Sequence, residues 1–143
     1  MGLNTTFGTA TEYSFTSASL ADNAGASPAT GDAVSTAVDL SATDHIGIEI
    51  TAKLIGTSGS TDTVDLYILE SGDGADSDYA TEDNRRFAGS VKMNGTTEVI
   101  KRFVVGNVSD RHKLYVINES GGALSSTEAE CQVFYRVISM ESN

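Results

Sequence analysis

Tryptophan is absent from this chain of 143 residues, and cysteine and proline occur once each. A lone cysteine, Cys131, can make no internal disulfide, which removes the stapled secreted scaffolds from consideration. Basic residues are scarce too: nine Lys and Arg stand against twenty Asp and Glu, a formal net charge of −11. A surface of that sign is repelled by nucleic acid and by anionic membranes, so neither is an expected partner. Nowhere do eighteen apolar residues run together, and the first residues show neither the basic nor the apolar region of a secretory signal. The expected setting is therefore a reducing cytosol, with Cys131 a small buried hydrophobe between Ala129 and Val133. Asn4, Asn94, Asn107 and Asn118 each begin a glycosylation sequon, and residues 1–6 fit a loose myristoylation pattern. A chain in which Ser and Thr make up roughly a quarter of the residues produces such matches by chance.

The motifs of catalysis are missing as well. There is no G-x-S-x-G elbow, no H-E-x-x-H, no glycine-rich phosphate loop and no cysteine pair. His45 and His112 are far apart, and neither stands beside a nucleophile-bearing turn, so both read as strand-edge residues rather than bases. No catalytic residue and no cofactor is assigned, and the chain is not expected to be an enzyme. Asp73, Asp76 and Asp78, with Gly72 and Gly74 beside them, offer the hard oxygens that calcium prefers. They lack the EF-hand spacing and its bidentate Glu, so a solvated acidic loop is the preferred reading and a calcium loop the minority one.

What the chain does have is period-two alternation. In residues 45–54, Ile46, Ile48, Ile50, Ala52 and Leu54 alternate with His45, Gly47, Glu49, Thr51 and Lys53, the mark of a half-buried strand. A second run, 63–70, puts Val64, Leu66 and Ile68 on one face, and the turn residues of 56–62 between them suit a central hairpin. Further strands are predicted over 33–40, 86–93, 96–105, 112–118 and 129–139, with a weaker edge strand over 5–16. In 96–105 the alternation is imperfect, because Lys101 falls on the face of Val99, Phe103 and Val105 while Ile100 and Val104 fall opposite. A bulge, or cover on both faces, would account for it. Eight strand candidates and no helix predict an all-β fold: an antiparallel β-sandwich of jelly-roll or Greek-key type with about eight strands.

Length makes this one folded unit, with residues 1–32 read as an N-terminal arm and loop and 33–143 as the sandwich. Residues 17–32 are small, with Gly25, Pro28 and Gly31, and 71–86 form a long acidic loop. Residues 66–72 (LYILESG) echo 114–121 (LYVINESG), either by shared turn chemistry or because the two segments hold related places in facing sheets. Several strands carry apolar residues on both faces, more than a two-layer monomer needs to bury. The interface candidates are Phe7, Tyr13 and Phe15 of the arm, Tyr67 and Leu69 on the second face of their strand, and the Arg85-Arg86 pair. That pair suits a salt bridge to the acidic loop or to a neighbouring subunit. With no Trp and only Tyr79 plainly in a loop, stacking of sugar rings has little support from composition.

The succession of a G-x-E-I-x-A-K strand, DLYILESGDG leading through an acidic loop to Tyr79, and LYVINESGGAL before a final aromatic-containing strand resembles small virion proteins of tailed bacteriophages. They are jelly-roll head decoration, or cement, proteins, and the similarity spans residues 33–139. The resemblance implies a structural role without catalysis: a homotrimer, made in the host cytoplasm, that binds the major capsid protein on the outer surface of the virion. The alternative is a carbohydrate-binding or adhesion module of a phage tail or fibre.

Overall fold

The computed structural model describes residues 3–15, 32–75, 79, 85–125 and 127–142. Ten strands follow in chain order: β1 (Leu3–Phe7), β2 (Thr11–Glu12), β3 (Asp32–Val34), β4 (Val38–Asp39), β5 (Gly47–Leu54), β6 (Thr63–Ser71), β7 (Arg86–Lys92), β8 (Val99–Gly106), β9 (Arg111–Glu119) and β10 (Cys131–Ser142). A front sheet has the order β1-β10-β5-β8, with β2 also on β10, and a back sheet the order β3-β9-β6-β7, with β4 also on β9. All pairings between these strands are antiparallel. Because β1 and β2 share one neighbour and β3 and β4 another, the ten strands fill eight positions. The result is the antiparallel sandwich with jelly-roll connections that the alternation predicts.

β5 shows how the sequence produces this. Ile48, Ile50, Ala52 and Leu54 are all fully buried, while Glu49, Thr51 and Lys53 face outward. Their inward row shares one core with Val64, Leu66 and Ile68 of β6, Val91 of β7, Leu114 and Val116 of β9, and Cys131 and Val133 of β10. Ile46 departs from the expected pattern. The strand begins only at Gly47, so Ile46 lies on the bend before it and is 46% exposed.

The expected central hairpin does not form. β5 pairs with β8 and β10, β6 pairs with β7 and β9, and residues 55–62 arch from one sheet to the other. The arch is tied to other loops at its end of the sandwich: Gly56 N–H donates to the Gly95 carbonyl, and Gly95 N–H to the Ser60 carbonyl. The buried Ser60 hydroxyl donates to the Ala123 carbonyl. A side chain at Gly56 would collide with Ser60, its Cβ lying 2.4 Å from that of the serine, so the close approach needs glycine.

Residues 3–15 are part of the sandwich rather than an arm. β1 and β2 pair along β10, Tyr13 and Phe15 are buried in the core, and a boundary at 32/33 would fall within β3. Tyr13 and Phe15 favour this, since burying two aromatic side chains removes a large apolar area from water. β8 is an edge strand in unbroken register with β5, so no bulge explains its imperfect alternation; Ile100 and Val104 are simply exposed. The two echoing segments are β6 and β9, adjacent in the back sheet and not in facing sheets, with Tyr67 opposite Tyr115. The small-residue loop lies outside the described residues save for Asp32, which opens β3.

Two expectations on stability follow from the packing. Ile48→Ala leaves a cavity in a fully buried row, and chemical denaturation is expected to show a loss of about 2–5 kcal/mol. Deleting residues 1–19 strips two strands from β10 and two aromatic side chains from the core, so the truncated chain is expected to lose cooperative unfolding.

Candidate functional site

In an antiparallel ladder, directly paired residues share a face, so the registers specify the outer surface of the front sheet row by row. One row runs Glu12, Phe134, Thr51, Arg102, and the next holds Arg136, Glu49 and Val104. Lys53 with Gln132 and Ile100 lies on one side, and Phe7 beside Ile138 on the other. Between β1 and β2 the chain carries one extra residue: 8–10 stand opposite only Arg136 and Val137, a bulge-like irregularity. Ala10, Glu49, Thr51, Arg102, Phe134 and Arg136 line a shallow cleft of about 320 Å³ there.

Arg136 is held on two sides. Its guanidinium lies 4.5 Å from the centre of the Phe7 ring, and its Nε and Nη2 donate to Glu49 Oε1 at 3.0 and 2.8 Å. Glu49 is well covered, with 13% of its side chain exposed, and the ring and ladder around the pair strengthen it relative to an open surface bridge. Arg102, by contrast, makes no side-chain hydrogen bond or ion pair among the described residues. On β8 it stands between Ile100 and Val104, which are 56% and 68% exposed. Charge on this face runs against the whole chain: Lys53, Arg102 and Arg136 against Glu12 and Glu49 give +3 − 2 = +1, on a protein of net −11.

The outer face of the back sheet is built differently. Leu69, Tyr79 and Tyr115 are buried together there, with Val34, Tyr67 and Ile117 packed against them. Tyr79 thus lies over this face, and Lys113 Nζ lies 4.7 Å from the centre of its ring.

Of the residues singled out by sequence, only Phe7 lies at the front cleft, 47% exposed. Tyr13 and Phe15 are core residues and are not available to a partner. Tyr67 and Leu69 lie on the back face, Leu69 beneath the Tyr79 cover. Arg85 stacks over the Tyr67 ring at 4.6 Å, and Arg86 pairs within the chain, with Glu70 at 3.1 Å and with the carbonyls of Gly106 and Asn107. Asp73 accepts from Ala75 N–H in its own turn, while Asp76 and Asp78 lie outside the described residues. Glu49, Arg102, Phe134 and Arg136 carried no sequence signal as a site. They are far apart in the chain, and only the register between β5, β8 and β10 brings them together.

No family model matches this chain, and no curated protein matches it. Among solved structures it is similar to the carbohydrate-binding module CBM36 in complex with calcium and xylotriose, at 13% identity and a TM-score of 0.44, over 93% of this chain and 99% of that one.

The two histidines are structural, in opposite ways. His112 is fully buried, not a strand-edge residue; its Nε2 is 2.9 Å from the Tyr13 hydroxyl, and burial, with His45 adding to it, lowers its pKa to about 4. His45 lies 2.9 Å from the Thr43 and Val108 carbonyls through Nδ1 and Nε2. Carbonyls only accept, so both nitrogens are protonated when both bonds form, and the Thr43 bond leads in raising this pKa. Its contribution to stability is full below pH 6.5 and fades as pH rises through the raised folded value. For His112 the sign is reversed. Below pH 6.5 the unfolded chain takes up a proton that the folded imidazole refuses until about pH 4, so stability falls, by about 3 kcal/mol over that window. Denaturant midpoints followed from pH 7 to 5 are expected to fall more steeply in the natural chain than in His112→Phe; equal slopes would contradict the assignment.

Proposed function

We propose that this chain is a non-catalytic binding protein of a tailed-phage virion, a jelly-roll decoration protein that seats on the capsid through the outer face of its front sheet. The observation that carries the reading is the asymmetry of the two outer faces. Among the described residues the back face has Tyr79 over part of it and leaves one large apolar side chain, Phe87 beside Tyr67, widely exposed, while the front face leaves four, Phe7, Ile100, Val104 and Met140, 45–68% exposed around a positively charged cleft. An exposed apolar face of this kind marks an interaction surface. The sequence resemblance supplies the virion setting and the homotrimer, and weak contacts repeated over a symmetric shell sum through avidity.

A second reading, a carbohydrate-binding or adhesion module, is favoured by one feature. The cleft combines an aromatic ring, Phe134, with a hydroxyl, Thr51, and charged groups, the mixture that small-ligand sites use.

Shells assembled without this protein are expected to bind it saturably on co-sedimentation, and Val104→Lys is expected to weaken that binding about tenfold while leaving the thermal midpoint unchanged. Light scattering is expected to give a trimer mass. A monomer that ignores shells contradicts the reading, and a trimer that ignores shells but binds a polysaccharide favours the second one.

A further inference from the structure

Deepening the docking reading, on which it rests, we infer that the cleft around Arg102 is the anchoring point of that face, and that its occupant is a carboxylate side chain presented between apolar residues of a partner protein. Three features converge on this chemistry. First, Arg102 carries a guanidinium with no ion pair or side-chain hydrogen bond among the described residues, in the same row as the half-buried Phe134 ring. Arg136, the other guanidinium of the cleft, already has Glu49 and Phe7, so it shapes the floor and leaves the capture of a new anion to Arg102. Second, Ile100 and Val104 flank Arg102 on the same face of β8, an apolar-cation-apolar stripe. Such a stripe excludes water around a bound ion pair and so strengthens it. A free anion would have no use for these two side chains, and an apolar surface without charge would leave the guanidinium buried and unpaired.

Third, the field selects sign and orientation. The face is net +1, while the remainder of the chain is −12 (+6 against −18), so an acidic partner group is steered to this face and away from the rest. Glu12 stands at the far end of the Arg102 row, three strand spacings or about 14 Å away, and repels an anion there. Main-chain groups of β5 beneath the cleft are committed to its ladders with β8 and β10, so recognition at the cleft floor is by side chains.

The test uses the full chain in two arms. In the first, the blocked tripeptide acetyl-Leu-Glu-Leu-amide is titrated by NMR against its Gln twin. The Glu peptide is expected to shift the amides of Thr51, Arg102 and Phe134 saturably, about tenfold more tightly than the Gln twin. Equal binding of the twins, or shifts elsewhere, overturns the inference. So does glucuronic acid if it binds the same amides more tightly than the peptide, because the occupant is then an acidic sugar. In the second arm, Arg102→Gln is expected to weaken shell binding about tenfold and to flatten its salt dependence. Shell binding by Arg102→Gln with natural affinity and salt slope overturns the inference while leaving the docking reading in place; failure of the natural chain to bind shells removes that reading itself.

Discussion

The dry layer in which Ile48, Ile50 and Leu54 of the front sheet meet Leu66, Ile68, Leu114 and Val116 of the back sheet is the constraint from which the rest follows. Every one of these side chains is essentially without solvent contact, so the phase of each strand is held against slipping by a single residue. Holding that phase also determines what points outward. Glu49, Thr51 and Lys53 reach the surface only because Ile48, Ile50, Ala52 and Leu54 are inside, and the cleft is in that sense a by-product of the core.

How much of this could be read in advance depends on what each signal measures. Alternation reports which side chains share a face, and it placed β5 and β6 well because their inward residues are aliphatic and unbroken, and β9 through Leu114 and Val116, although His112 and Asn118 share their inward row. It does not report which strand lies alongside. The turn residues of 56–62 would serve a hairpin as readily as the arch observed, because Gly, Ser, Thr and Asp satisfy the backbone in either geometry. Tyr13 and Phe15 were hidden by a different ambiguity: in a stretch rich in Thr and Gly, two aromatic residues fit an exposed arm or a buried edge equally well. His112 shows the limit for polar residues, since an imidazole enters a core when a partner such as the Tyr13 hydroxyl is waiting, and that partner is 99 residues away.

The same long-range character explains why, Phe7 apart, the candidate site was not legible. The Glu49 and Arg136 pair closes over 87 residues, and Arg102 reaches their neighbourhood only through a third strand. The back face, in contrast, is partly local: the acidic segment leaves β6 and returns as β7, and Tyr79 within it needs only to fold down onto β6 and β9. One outer surface thus has Tyr79, from the connection between its own strands, over part of it, and the other has no such cover among the described residues.

Connectivity also orders events in time. β10, the last strand in the chain, occupies an inner position of the front sheet between β1 and β5, and it joins the first strand to the rest. A nascent chain therefore cannot close this sheet before β10 has emerged. Until then β5 presents an unpaired edge and its inward aliphatic row lacks part of its lid, the kind of surface on which partly made chains associate. Docking of β10, more than formation of any early hairpin, is the step that joins the first strand to the rest of the front sheet.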